Sequence, residues 1–240
     1  MQEDTFRAFF AIDIPENIKK TILSYTKSLH PLLSSKQIKW TRPQNLHLTL
    51  CFLGNITEQQ YQKINKKIKK AAKTFPPFTM KLTTIQQFPS TKGLLKSEQK
   101  LSLRAYEVSE AIQEYIINQG IFGLLRRYAP RDDSKKLDFS SLTNKPHAIV
   151  LKPQALAPLE KLASNIKKDS IRCGIKIESR PFIPHVTLGR IGKRQKIDNK
   201  IFTEFKIPPI SFKVTAIKLF KSEPQSGGSV YTPIAIYNFN

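Results

Sequence analysis

The chain has 240 residues, enough for one sizeable domain, and 40% of them are apolar, as a protein with a buried core requires. Its 40 Lys and Arg against 18 Asp and Glu give a formal charge of +22, a field that draws polyanions, nucleic acid first among them; Lys scattered over solvated faces would give the same total. The two cysteines, Cys51 and Cys173, show no CxxC or Cys/His spacing, so neither a disulfide framework nor a structural zinc site is indicated and a reducing cytoplasm fits.

The opening MQEDTFRAFFAIDIP is acidic at its start and Asp13 breaks its apolar run, so neither a signal peptide nor a membrane span is expected. A strand is predicted over 7–14 and a helix over 16–29, followed by a second strand over 46–53. Next comes a Lys-rich helix over 57–73, with Ile56, Tyr61, Ile64, Ile68 and Ala71 or Ala72 as its apolar stripe and six lysines on its wet side. A long alternating strand over 78–88 closes this first set. Residues 91–146 read as an insertion: an amphipathic helix near 101–118, then the basic, loop-like GIFGLLRRYAPRDDSKK, serving as a lid, a substrate guide or a surface elaboration without function. The first order of elements then returns, with a strand over 147–152, a helix over 154–169, a strand over 184–189 and an alternating strand over 210–220.

This return is a duplication of sequence as well as of pattern. Arg42-Pro-Gln-Asn-Leu-His-Leu-Thr-Leu-Cys-Phe-Leu-Gly54 aligns without gaps on Arg180-Pro-Phe-Ile-Pro-His-Val-Thr-Leu-Gly-Arg-Ile-Gly192. Pro15 precedes His47 by the interval that separates Pro153 from His185, and the segments 76–90 and 208–222 share two prolines, Lys, Thr, Ile, Phe and Ser. The chain therefore reads as one bilobal domain over 1–240, with repeat halves 5–90 and 147–240.

Each repeat carries a His-x-Thr on a strand, where residues i and i+2 share a face. His47 and Thr49 project together, as do His185 and Thr187, and a pseudo-twofold axis would turn the two pairs toward each other across a cleft. Hydrolysis of a cyclic phosphodiester needs a base on the attacking side and an acid on the leaving side; imidazole, with a pKa near ~6.5, fills either role near neutral pH. Threonine hydroxyls can donate to the non-bridging oxygens. No metal is required, and the carboxylate and histidine clusters of a metal phosphodiesterase are missing. His30, ending a helix, and His147, opening a strand, have no repeat partner; His30 reads as structural, and His147 as structural or lining the cleft.

NLHLTLCFLG and FIPHVTLGR, with FFAIDIP at the start and IKW before the first motif, resemble the two-histidine phosphoesterases, most closely the RNA 2',3'-cyclic phosphodiesterase group also known as bacterial 2'-5' RNA ligases. The resemblance implies an α+β fold of two lobes, with antiparallel sheets lining a central cleft and helices packed outside. It implies cofactor-free hydrolysis of RNA 2',3'-cyclic phosphate ends to 2'-phosphomonoesters, with His47 as proton donor and His185 as proton acceptor; a monomer without an obligate protein partner is expected. Thr49 and Thr187 map to the family threonines. Arg190 matches an arginine able to hold a phosphate, provided that a bulge near Gly189 turns it to the cleft. Phe182 has two readings, a base-stacking ring or a core residue. Joining of the cyclic end to a 5'-hydroxyl at the same site, and a non-catalytic RNA-binding module, are the rival functions.

Overall fold

The structure, a computed structural model, describes residues 4–33, 36–88, 148–154, 156–178, 182–192, 197–226 and 228–240. The insertion expected over 91–146, and His147, lie outside the described residues. The first repeat gives β1 (Thr5–Asp13), α1 (Glu16–Leu29), β2 (Ile38–Trp40), β3 (His47–Thr57), α2 (Glu58–Ala72) and β4 (Phe78–Phe88). The second gives β5 (Ala148–Pro153), α3 (Ala157–Arg172), β6 (Val186–Ile191), α4 (Lys200–Glu204), β7 (Ile210–Val214), β8 (Ala216–Glu223) and β9 (Val230–Asn238).

Element boundaries follow local chemistry. Thr57 caps α2 in a capping box, its hydroxyl accepting from the Gln60 backbone while the Gln60 side chain accepts from the Thr57 N–H, so β3 runs directly into the helix. The expected stripe on α2 is present as Ile64, Ile68 and Ala72, all buried. The long helix of the second repeat, α3, starts at Ala157 and not at 154, because Pro158 fits only in a first turn, where its missing N–H is not needed. The predicted strand over 210–220 is interrupted at Thr215, where the chain leaves one pairing partner for another.

Every pairing is antiparallel, in the order β7-β4-β5-β6-β3-β1-β8-β9, with β2 on β6. The two repeats are interwoven in this curled sheet. β4 of the first repeat pairs with β5 of the second, and β8 of the second with β1 of the first. β7 and β8 are nearly one strand, so the order returns on itself, and strands of different repeats pair in two further places: Leu48 meets Val186 where β3 touches β6, and Met80 meets Phe212 where β4 lies beside β7.

One face of the sheet holds the main core. Phe10, Ile12, Leu48, Leu50, Leu82, Ile149, Leu151, Val186 and Leu188 pack there with Ile22 and Leu29 of α1, Ile64 and Ile68 of α2, and Leu159, Leu162 and Ile166 of α3. The opposite face carries two smaller apolar clusters, Phe9, Ala11 and Phe220 on one side and Phe88, Ala148 and Val150 on the other. No helix among the described residues is long and apolar enough to cross a membrane.

Candidate active site

The two motif strands touch through a single pair, Leu48 with Val186, both fully buried on the core face. An antiparallel register through that pair sets Thr187 opposite His47 and Thr49 opposite His185, with all four side chains on the other face. All four are partly exposed.

Each ring is held in the same way. His47 Nδ1 lies 2.7 Å from the Asn45 carbonyl, and His185 Nδ1 lies 2.7 Å from the Ile183 carbonyl. A carbonyl only accepts, so both Nδ1 atoms carry hydrogen, which fixes the neutral tautomer of each ring. His47 Nε2 lies 3.0 Å from Thr49 Oγ1. Asn45 is itself anchored, its Nδ2 donating to the Ser229 carbonyl at 2.9 Å.

Aromatic side chains back both histidines. Phe88 stacks on His185 at 4.4 Å with 27° between planes. Around His47, Phe9 lies at 5.0 Å, Tyr231 stands edge-on at 5.2 Å and Phe220 lies at 6.3 Å. Phe88 and Phe220 occupy matching repeat positions, and through the strand exchange each supports the other repeat's histidine. The shared Phe of segments 76–90 and 208–222 was the signal for them in the sequence. Phe182 packs half-buried against the main core; an exposed ring on the site face is Phe52, 5.8 Å from Phe9.

The electrostatics of the two histidines differ. Burial pushes the His47 pKa down to about 4, with the positive fields of His185 and Arg190 acting in the same direction, against the Asn45 carbonyl and Asp13. Asp13 is the direct strand partner of His47. Burial alone would raise the Asp13 pKa, but Lys218 at 2.6 Å and Lys19 at 3.2 Å hold its carboxyl below the ordinary value.

The bulge required for Arg190 is present. β6 pairs Thr187 with Val150 but Gly189 with Ile149, so Leu188 is the extra residue and Arg190, opposite Ala148, returns to the face of Thr187. β3 has the matching bulge at Leu50, between the pairs Ala11–Thr49 and Phe10–Cys51. Gly189 is needed for packing, because a Cβ there would stand 2.9 Å from Ile38 Cγ2 and 3.0 Å from Trp40 Cε3. His30 stacks on Trp40 at 4.5 Å, a packing role away from this face. Among the described residues no group of three or more His, Cys, Asp or Glu is placed to hold a metal ion.

A duplicated antiparallel sheet presenting two His-x-Thr pairs across one seam defines the two-histidine phosphoesterase class. The chain belongs to the LigT like Phosphoesterase family, whose model matches residues 12–94 and 150–231. It is 25% identical over 182 residues to an RNA 2',3'-cyclic phosphodiesterase of Bacillus subtilis (strain 168), covering 76% of this chain and 69% of that protein. It is 23% identical to one of Thermotoga maritima over 225 residues, 94% of this chain and 91% of the relative. The crystal structure of E. coli LigT in apo form has the same fold, with a TM-score of 0.62, 22% identity, and coverage of 100% of this chain and 99% of that one.

Proposed function

We propose that the protein hydrolyses RNA ends bearing a 2',3'-cyclic phosphate to 2'-phosphomonoesters, with His47 as proton donor, His185 as proton acceptor and no metal or cofactor. The observation that carries this reading is the Leu48–Val186 seam, which brings together two histidines whose Nδ1 atoms are both fixed on backbone carbonyls. The similar proteins named RNA 2',3'-cyclic phosphodiesterase support the substrate class. E. coli LigT, of the same fold, has been crystallised with 3'-AMP.

In this scheme a water attacks phosphorus from the His185 side and gives its proton to His185 Nε2. The bond from phosphorus to O3' breaks on the opposite side as His47 Nε2–H protonates the leaving oxygen. The hydroxyls of Thr49 and Thr187 donate to the non-bridging oxygens, where charge accumulates, and the positive field of Arg190, further along β6, reaches the same site.

The unliganded site holds His47 neutral at pH 7, accepting from the Thr49 hydroxyl. An anionic phosphodiester reverses both conditions. Its charge offsets that of Arg190, and it draws the Thr49 hydroxyl away from Nε2, so proton uptake by His47 accompanies substrate binding. The reading takes the enzyme to act as a monomer in the cytoplasm. Product analysis on an oligoribonucleotide ending in a 2',3'-cyclic phosphate tests it: a 2'-phosphomonoester is expected, and recovery of unchanged cyclic ends, or of a joined 2'-5' product alone, refutes it.

A further inference from the structure

β2 brings a second cation beside the site. Lys39 is the direct cross-strand partner of Arg190, so the two side chains share a face, the one that carries Thr187. Like charges placed opposite each other across a ladder are unfavourable. Even so, neither makes an ion pair among the described residues, although lysines elsewhere on the same sheet have acidic partners, as Lys218 has Asp13. Both are exposed and both line one groove of about 440 Å³, with Gln37, Ile38, Ile191 and Gly192. The Lys39 ammonium reaches across to the turn between β8 and β9, where Nζ lies 3.6 Å from the position a Cβ on Gly228 would take. That turn is tied to the His47 motif through the Asn45 bond to Ser229.

Arg190 lies three residues along β6 from Thr187, about 10 Å at 3.3 Å per residue and somewhat less across the bulge. Its field still reaches His47. The paired cations therefore flank the reacting phosphate without coinciding with it, at the separation of a neighbouring anion. At a 2',3'-cyclic end the only neighbouring phosphate of the strand is on the 5' side of the terminal nucleoside.

We propose that Lys39 and Arg190 form a subsite for that 5' backbone phosphate, making the enzyme selective for polynucleotide ends over cyclic mononucleotides. This rests on the hydrolytic reading above and names the substrate class within it. Two cations facing one groove hold a phosphate as a clamp, and the repulsion between them is relieved when the anion enters.

The test compares kcat/KM of the wild type, Lys39→Gln and Lys39→Glu on two substrates: an oligoribonucleotide with a 2',3'-cyclic end and a 2',3'-cyclic mononucleotide lacking a 5'-phosphate. The wild type should prefer the oligonucleotide. Lys39→Gln should lower its kcat/KM about tenfold through KM, and Lys39→Glu further, with a much smaller change on the mononucleotide. The slope of log(kcat/KM) against log salt for the oligonucleotide should become shallower by about 0.7. Parallel losses on both substrates, or no loss on either, would overturn the subsite. An oligonucleotide already ending in a 2'-phosphate gives a binding measurement by fluorescence anisotropy that needs no turnover. There Lys39→Gln should weaken Kd about tenfold, and an unchanged Kd overturns the proposal. A wild type inactive on both substrates yet bound through Lys39 would instead remove the hydrolytic reading and leave the subsite standing.

Discussion

The proton affinity of His47 should depend on whether an anion occupies the seam. In the free protein its pKa lies at about 4 against an ordinary 6.5, a preference for the neutral ring worth about 3 kcal/mol at 1.36 kcal/mol per pH unit. Because the folded value is depressed, this contribution to stability is complete above pH 6.5 and is lost as pH falls from 6.5 toward 4. Wild type should therefore lose up to about 3 kcal/mol more folding stability than His47→Gln between pH 7 and pH 4. Titration of the histidine ring signals by NMR should show His47 changing near pH 4 when free and at distinctly higher pH with adenosine 2'-monophosphate bound. By linkage, that ligand should bind more tightly as pH falls through the same interval. A free His47 titrating near 6.5, or one whose titration ignores the bound phosphate, would refute the argument that the substrate supplies the conditions for its own acid.

The pH profile of kcat/KM for the cyclic end should be bell-shaped, since one imidazole must be neutral while the other is charged, and a monotonic profile would count against the pair. Thr49→Val and Thr187→Val should each lower kcat/KM by about tenfold to a hundredfold while far-ultraviolet circular dichroism stays the same; wild-type rates would remove the hydroxyls from the scheme. Gly189→Ala forces a methyl against Ile38 and Trp40 and should lower stability by about 1–3 kcal/mol, read as a fall in Tm, so an unchanged Tm would contradict the close approach of β2.

Much of the site was legible because the chain repeats itself. Matching His-x-Thr pairs told which two of the four histidines to join, and strict strand alternation showed that Arg190 needed a bulge, which the fold supplies at Leu188. The strand exchange was not legible. The segments 78–88 and 210–220 are self-similar, so alternation states which face of each is apolar but not which repeat it pairs with. The aromatic supports of the histidines depend on that exchange, and Phe88 meets His185 only because β4 crosses to β5. Phe182 sits near the second motif in sequence, yet proximity along the chain did not decide its direction, and its ring packs half-buried against the core. The depressed pKa of His47 arises chiefly from burial, with the fields of His185 and Arg190 of the other repeat added, none of which periodicity reveals.

The central claim is that two imidazoles, brought together at the Leu48–Val186 seam, transfer protons on opposite sides of one phosphorus. Product analysis of an oligoribonucleotide 2',3'-cyclic phosphate, in excess chelator, with wild type, His47→Ala and His185→Ala tests it most directly. The account predicts a 2'-phosphomonoester from wild type and a loss of about a hundredfold to ten-thousandfold in each variant, with binding of the product nearly intact. Turnover at the wild-type rate in either variant, or wild-type activity abolished by the chelator, would contradict it.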